Sequence, residues 1–461
     1  MKKVVDLTEG NLFKKILIFA LPIMASGMLQ LFYNAADLIV CGKFGTEHAI
    51  AAVSSTTALI NLLVNSFVGL SVGSNALMAR SLGEKNNEKG NRIAYTSLII
   101  ALVGGVLVGS FGFIFCRKFL EWMGTTSDVI DLSTEYLRIY FLGTPFSFLF
   151  NFGAALLRGT GDSRRPSIAL FLSGGFNIGL NLLLVAVFNM DVEGVAIATI
   201  ASQLISAAIV WFIIFTKRTH FFTFEFKNIK FYFNEAKEIF IIGLPVALQA
   251  ATFSISNILI QSSVNSLGTD VVSGNGAANS IEGFIFVAMD SIGQATLAFT
   301  SAAYGAKKKE NIKTIFKYSI VHVLLIYLAV SGLILIFRKP LLSLYLSNPE
   351  ALIYGEGKLV IFATTYITCG IMNITANSIR GMNHSITPMV VVLTTVCGTR
   401  ILWIYTLFKL EYFHNLNGLS WSYPVSWILA IIVDLIFFII FYKYLKFNKE
   451  EAVSELEPST I

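Results

Sequence analysis

The sequence predicts an all-α polytopic membrane protein with twelve transmembrane helices in two six-helix lobes. Of its 461 residues, 55% are hydrophobic and only 13% are charged, whereas soluble domains average roughly 25% charged residues. Apolar runs near the ~20 residues that a bilayer requires occur about twelve times. The chain also repeats itself, because the tripeptide ALP that begins at Ala20 recurs as GLP at Gly243.

The apolar runs give the spans in order. We place them at residues 14–40, 49–79, 93–115, 136–157, 167–189, 193–216, 238–265, 274–304, 316–337, 359–379, 387–408 and 418–442. The first, second, seventh and eighth runs are longer than a bilayer needs, so we expect those helices to tilt or bend. Pro22 removes a backbone hydrogen bond from the first span, which predicts either a hinge or a static kink there.

Basic residues concentrate in alternate loops. With the N-terminus taken as cytoplasmic, 25 of the 34 lysines and arginines fall in cytoplasmic segments. This bias predicts a multi-pass protein of the plasma membrane with both termini in the cytoplasm. The basic residues are divided among short loops, which argues against a nucleic-acid-binding surface.

The repeat divides the chain into two parallel halves. Arg158-Gly159 recurs as Arg380-Gly381, 222 residues later, and an even number of spans in each half keeps the orientation. We predict a first lobe, a cytoplasmic linker, a second lobe and a cytoplasmic tail, at residues 1–216, 217–238, 239–445 and 446–461. Such repeats commonly flank a central site that opens to each side in turn, so the chain is predicted to be a secondary transporter.

The first span contains a carboxylate, Asp37, inside its apolar run. Gln30, Asn34 and Asp37 fall on one face of a helix. A carboxylate within a membrane helix is costly and rarely faces lipid. We interpret Asp37, with Asn34, as an ion or proton site. The alternative is that Asp37 is a hydrogen-bonded packing residue near a helix end.

Other polar residues of the first half recur one helical turn apart and predict a shared polar cavity. The candidates are Asn61 with Asn65, Asn177 with Asn181, Thr199 with Gln203, and Asn151. Gln30, Phe32 and Tyr33 are further candidates for its wall. The alternative is that these groups only hold the bundle together, through interhelical hydrogen bonds worth roughly 0.6 kcal/mol each.

The second half has buried acids of its own. Glu282 and Asp290 lie on the eighth span, and Asp434 lies on the twelfth. We count Glu282 among the substrate-cavity candidates, either lining water or paired with Arg400. For Asp434 we expect only a structural hydrogen bond.

Neither a metal site nor an active site is predicted. The histidines and the four cysteines show no metal-ligand spacing, and no nucleophile-and-base motif or phosphate-binding loop stands out. We therefore predict no enzyme activity, no cofactor and no resident metal, with H⁺ or Na⁺ as the coupling ion and Asp37 as the place where Na⁺ would bind.

Several longer motifs resemble those of one family. They are YNAADLIVCGKFG, ARSLGEKN, LLRGTGDSRRP, GVAIATIASQ, SIRGMNHSITP and SYPVSW, together with the ALP of the first span. Over nearly its full length the chain resembles the multidrug and toxic compound extrusion (MATE) transporters. The resemblance implies two lobes related by pseudo-two-fold symmetry, arranged in a V around a central cleft, and a cation-coupled exporter.

The resemblance is nearer to the DinF-like branch than to the NorM-like branch. The stretch GLPVALQAATFS lacks the glutamate that the NorM-like branch carries there. The DinF-like pattern implies coupling by Asp37 with Asn177 and Thr199 as partners, and bending at Pro22. Related chains often have an aspartate where this one has Asn181, so both H⁺ and Na⁺ stay open.

The expected function is a cation-coupled antiporter that exports amphipathic, cationic organic compounds by alternating access. The first alternative is a flippase or exporter of a lipid-linked precursor or another endogenous metabolite. A channel or a receptor is a further alternative, against which the two-fold repeat argues. We expect a monomer whose partners are a small-molecule substrate and membrane lipids.

Overall fold

The computed structural model describes residues 4–44, 49–216 and 219–445, and the regular elements in these ranges are all helical. The α-helices are α1 (Leu12–Phe44), α2 (Ala49–Ile60), α3 (Ser66–Val68), α4 (Ser71–Gly83), α5 (Asn87–Trp122), α6 (Ser127–Gly159), α7 (Arg164–Asn181), α8 (Val192–Phe215), α9 (Phe233–Asn265), α10 (Thr269–Gly305), α11 (Lys309–Ser343), α12 (Pro349–Thr365), α13 (Ile367–Gly381), α14 (Ile386–Val391), α15 (Gly398–Tyr405), α16 (Leu416–Ser420) and α17 (Ser422–Tyr444). The predicted all-α class is confirmed.

The spans match the apolar runs of the sequence. Within the described ranges, ten helices are long and apolar enough to cross a membrane, and α12 with α13, bent by 46°, make an eleventh. The predicted second span is divided among α2, a π-helical segment at Asn61–Asn65, α3 and α4. Such π-helical insertions are frequent at functional sites, and this one lies beside the cavity described below.

The predicted hinge lies inside an unbroken helix. α1 continues through Pro22, and α6 and α9 continue through Pro145 and Pro245. A residue with non-helical backbone angles occurs within α11, at Phe337, three positions before Pro340. Pro22 therefore does not end its helix, and bending there stays a prediction.

Two large apolar cores correspond to the two halves, but the beginning of the first helix of each half packs in the core of the other half. Leu12, Ile16 and Phe19 of α1 pack in the core formed mainly by α10 to α14 and α17. Ala236 and Ile239 of α9 pack in the core formed by α2 to α8. The lobes are thus joined by the starts of two repeat-related helices. The lobe boundaries proposed above stay predictions, and the tail and the first two linker residues lie outside the described ranges.

The lobes touch backbone to backbone where α4 and α10 end. A Cβ atom at Gly83 would overlap the carbonyl oxygen of Ala302, and one at Gly305 would overlap the carbonyl oxygen of Arg80. Only a residue without a side chain allows so close an approach. This contact joins the two lobes at the ends of α4 and α10, and we call it the closed end.

Candidate functional site

A cavity of about 640 Å³ lies inside the first lobe and reaches α10 of the second lobe. Most of the polar residues singled out from the sequence line it. They are Gln30, Tyr33, Asn34, Asp37, Asn61, Asn151, Asn177, Thr199 and Gln203. The helices α1, α6, α7 and α8, together with the π-helical segment that carries Asn61, bring these side chains together, as the one-turn spacing of the polar pairs predicts.

Asp37 lies on the cavity wall against α7. Asn181 donates a hydrogen bond from Nδ2 to Asp37 Oδ1, and the same nitrogen lies 3.3 Å from Asn177 Oδ1. Both asparagines are buried. The three residues thus form one chain of contacts from α1 to α7, which places the carboxylate inside the lobe with a neutral donor beside it.

Two candidates of the cavity wall, Thr199 and Phe32, make their contacts elsewhere. Thr199 Oγ1 lines the cavity but donates to the carbonyl oxygen of Val195 on its own helix at 2.9 Å. Phe32 is 58% exposed, and its ring centroid lies 5.1 Å from that of Phe284 on α10. The side chain of Asn65 lies outside the described part of the chain.

Three cavity residues that we had not counted as candidates link the lobes. Arg158 at the end of α6 donates from Nη1 to Gln294 Oε1 of α10 at 2.9 Å. Gln294 in turn donates to Asp290 Oδ2 at 2.7 Å. All three line the cavity. The repeated Arg-Gly dipeptide was the available signal for Arg158, which we had counted only as a loop cation.

A second polar cluster, the second-lobe centre, consists of Glu282, Lys358 and Arg400. Lys358 Nζ donates to Asn275 Oδ1 at 2.7 Å and also to Asn279. Arg400 lies against the ring of Tyr423, 4.1 Å from its centroid. Glu282 is thus part of this cluster and is not among the residues that line the cavity.

Two expectations for the buried acids need correction. Glu282 lies close enough to Lys358 and Arg400 to interact electrostatically, but it makes no direct ion pair with Arg400 and its Oε2 has no hydrogen-bond partner among the described residues. The two oxygens of Asp434 likewise lack the expected hydrogen bond in the described part of the chain.

The comparison with known families decides the identity. The MatE family model matches residues 22–183 and again residues 245–406. The chain belongs to the MatE family. The two matches begin 223 residues apart, at Pro22 and Pro245, the same prolines that mark the repeat. This MatE protein is therefore a multi-pass member of a multidrug efflux transporter family that acts on small molecules, and it is not an enzyme.

Relatives cover nearly the whole MatE chain. "Probable multidrug resistance protein YoeA" of Bacillus subtilis is 27% identical over 436 residues, which are 92% of this chain and 93% of that one. The "FAD transporter" of Shewanella oneidensis is 22% identical over 430 residues, 92% and 94% of the two chains. A solved structure, "Outward-facing conformation of a multidrug resistance MATE family transporter of the MOP superfamily", superposes with TM-score 0.88 at 23% identity, covering 96% and 98%. It confirms the fold.

In this MatE protein one aromatic ring of the cavity wall, that of Tyr33, packs directly against the backbone of α7. The hydroxyl of Tyr33 donates to the carbonyl oxygen of Phe171 at 3.2 Å, and a Cβ atom at Gly174 would overlap the Tyr33 ring. The neighbouring Gly175 has open space around it. Two adjacent glycines of α7 therefore differ in the contact with Tyr33, since Gly174 is buried against the ring and Gly175 is exposed.

Gly174→Ala is expected to displace Tyr33 and weaken the binding of an aromatic cation such as ethidium. A cation–π contact contributes roughly 0.5–2 kcal/mol, so the loss in affinity should be about 2- to 30-fold. Fluorescence titration of purified protein measures it. Gly175→Ala is the matched control and should bind as the wild type does. Equal affinities for the two variants would contradict this role of Tyr33.

Proposed function

We propose that this MatE protein exports amphipathic organic cations across the plasma membrane in exchange for H⁺ or Na⁺, with Asp37 as the coupling group. One observation carries the proposal. The carboxylate of Asp37 lies on the wall of a cavity of about 640 Å³, and its hydrogen-bond donor is the neutral amide of Asn181, whereas the other charged residues of the wall, Arg158 and Asp290, are linked to each other through Gln294. A lone charge in that position is costly unless a cation neutralises it.

The composition of the cavity wall supports an organic cation as the substrate. Three tyrosines, Tyr33, Tyr136 and Tyr140, line the same cavity as Asp37. Aromatic faces attract cations, and the attraction is stronger where water is excluded. The rings would bind the apolar body of the substrate, while Asp37 would attract its charge.

Exchange follows if the substrate and the coupling ion compete for the same negative charge. When H⁺ or Na⁺ binds Asp37 from outside, the charge that held the organic cation is neutralised and the substrate leaves. When the ion leaves toward the cytoplasm, Asp37 is ionised again and the next substrate binds. Coupling requires only that the lobes change their access between the two events.

The closed end gives this cycle a direction. If the termini are cytoplasmic, as the charge bias predicts, the contact of Gly83 and Gly305 closes the cytoplasmic side. The structure would then be the state that releases substrate outward. In the opposite state the lobes part at these glycines, with α1 and α9 as the connections between them.

The oxygen atoms near Asp37 suit either ion. Protonation needs only the carboxylate. For Na⁺, a hard cation that prefers oxygen ligands, the buried Oδ1 of Asn181 would be a second ligand, because it has no hydrogen-bond partner among the described residues. We further propose that the protein works as a monomer in the lipid bilayer.

The test is ethidium efflux by Asp37→Asn in membrane vesicles, driven separately by a pH gradient and by a Na⁺ gradient. We expect the wild type to respond to one of the gradients and the variant to neither. Asp128→Asn is the control, because Asp128 is an exposed acid at the start of α6. Gradient-driven efflux at the wild-type rate by Asp37→Asn would refute the proposal.

A second candidate function is the export of an endogenous metabolite, which includes a lipid-linked precursor. The relative from Shewanella oneidensis named a FAD transporter favours it. Export of that kind would leave ethidium efflux absent in both the wild type and Asp37→Asn.

A further inference from the structure

Arg400 is a membrane-embedded cation with unused hydrogen-bonding capacity. Its side chain belongs to a residue only 2% exposed, in the short helix α15. A guanidinium has five N–H donors. Among the described residues it makes two hydrogen bonds, to Ser426 Oγ and Asn257 Oδ1, and both are long at 3.4 Å. A buried arginine within a membrane protein normally pairs more fully than this.

The plane of the guanidinium is fixed although its hydrogen bonds are weak. Tyr423 stacks on it at 4.1 Å, and the rings of Phe253 and Trp427 lie 5.8 and 6.0 Å away. Aromatic packing therefore orients the N–H donors of the Arg400 guanidinium but does not provide them with hydrogen-bond acceptors. A fork held in one orientation matches the two oxygens of a carboxylate.

The charges of the second-lobe centre do not balance. Lys358 and Arg400 are two cations, and among the described residues Glu282 is the one carboxylate that interacts with both. Lys358 is 2% exposed and already donates to Asn275 and Asn279, so two of its three donors are in use. The excess positive charge and the free donors therefore coincide at Arg400.

Polar side chains connect this centre to open space. Asn257 on α9, which accepts from Arg400, is exposed, and so is Asn279 on α10, which accepts from Lys358. Exposed amides within membrane helices face a water-filled space rather than lipid. An anionic group of a molecule between the lobes would reach Arg400 beside Asn257.

We propose that Arg400 binds the carboxylate of an amphipathic zwitterionic substrate, while the first lobe holds the cationic group of that substrate. This rests on the proposed function and narrows its substrate class. The two lobes then differ in sign, with a negative centre at Asp37 and a positive centre at Arg400. A substrate with both charges would bind more tightly than the same molecule with its carboxylate esterified.

Rhodamine 110 and rhodamine 123 test this directly, because the second dye is the methyl ester of the first. The dissociation constants of both dyes are measured by fluorescence anisotropy on the full-length protein in lipid nanodiscs. The wild type should prefer rhodamine 110. Arg400→Gln should shift the ratio of the two constants toward the ester by roughly tenfold or more, the usual effect of a charge-assisted hydrogen bond.

Control variants separate charge recognition from misfolding. Lys409→Gln removes an exposed cation of the same lobe and should leave the ratio unchanged. Binding of rhodamine 123 by Arg400→Gln shows that the variant folds. If Arg400→Gln does not fold, Arg400→Lys takes its place. This variant keeps the positive charge but lacks the paired donors of the guanidinium, so it should still lower the preference for rhodamine 110 several-fold.

The outcomes distinguish the two proposals. Binding of rhodamine 123 but not of rhodamine 110 by the wild type would overturn the anion site and leave the cation exporter standing. An equal ratio in the wild type and in a folded Arg400 variant would also overturn it. Absence of binding of both dyes to the wild type would overturn both proposals.

Discussion

Gly83→Ala is expected to prevent the lobes from meeting at the closed end and to reduce transport severely. The added Cβ would overlap a backbone carbonyl oxygen of α10, which has no side-chain rotation to escape the clash. Overpacking of this kind typically costs about 1–3 kcal/mol. A cost of that size changes a two-state equilibrium by roughly 5- to 150-fold. Here the equilibrium would shift toward the state in which the lobes are separated at Gly83 and Gly305.

Spin labels at Glu88 and Glu310 report this shift, because the two exposed residues begin α5 and α11 just after the closed end. The distance between the labels should increase in Gly83→Ala and in Gly305→Ala. Gly332→Ala is the matched control, since its Cβ atom meets open space on α11. An unchanged distance distribution in both closed-end variants would show that this contact does not control access.

Asn181→Ala is expected to slow transport although the carboxylate of Asp37 stays in the cavity. The variant removes the donor to Asp37 Oδ1, and a hydrogen bond to a charged group contributes roughly 1.5–3 kcal/mol, or about 10- to 150-fold. The ionised form of Asp37 then loses its stabilising partner, so the step in which the coupling ion leaves should become limiting. Proton release on addition of substrate, together with the efflux rate, measures this.

Asn177→Ala provides the comparison. Asn177 is bonded to Asn181 at 3.3 Å, so its removal acts on Asp37 only indirectly and should slow efflux several-fold less. If Asn177→Ala were as slow as Asn181→Ala, the two amides would act as one unit. If neither variant were slower than the wild type, the contact between α1 and α7 would have no part in coupling.

The sequence was sufficient for the fold because the bilayer imposes a simple rule on it. Apolar runs of sufficient length must be helices, and the repeat then sets the number of spans in each half. The site around Asp37 was predictable for a related reason. Pairs such as Asn177 and Asn181 fall on one helix face, and a polar face within a membrane bundle must turn inward.

Tertiary packing was not predictable in the same way. Periodicity places Glu282 on a face of α10 but does not say which helix lies opposite, so it was assigned to the cavity rather than to the cluster with Lys358. Lys358 itself was placed just outside a span that we began at residue 359, whereas α12 begins at Pro349 and buries it. Because the predicted span begins ten residues after α12 does, an interior cation was interpreted as a loop residue.

The glycine contact at the closed end is reciprocal. Gly83 and Gly305 are 222 positions apart, and so are Arg80 and Ala302, the residues whose carbonyl oxygens they meet. A patch that exchanges with its counterpart in this way is what a symmetric homodimer makes. Two copies of a half-length ancestor could have formed the same contact twice, and fusion of the duplicated genes would then have preserved it within one polypeptide.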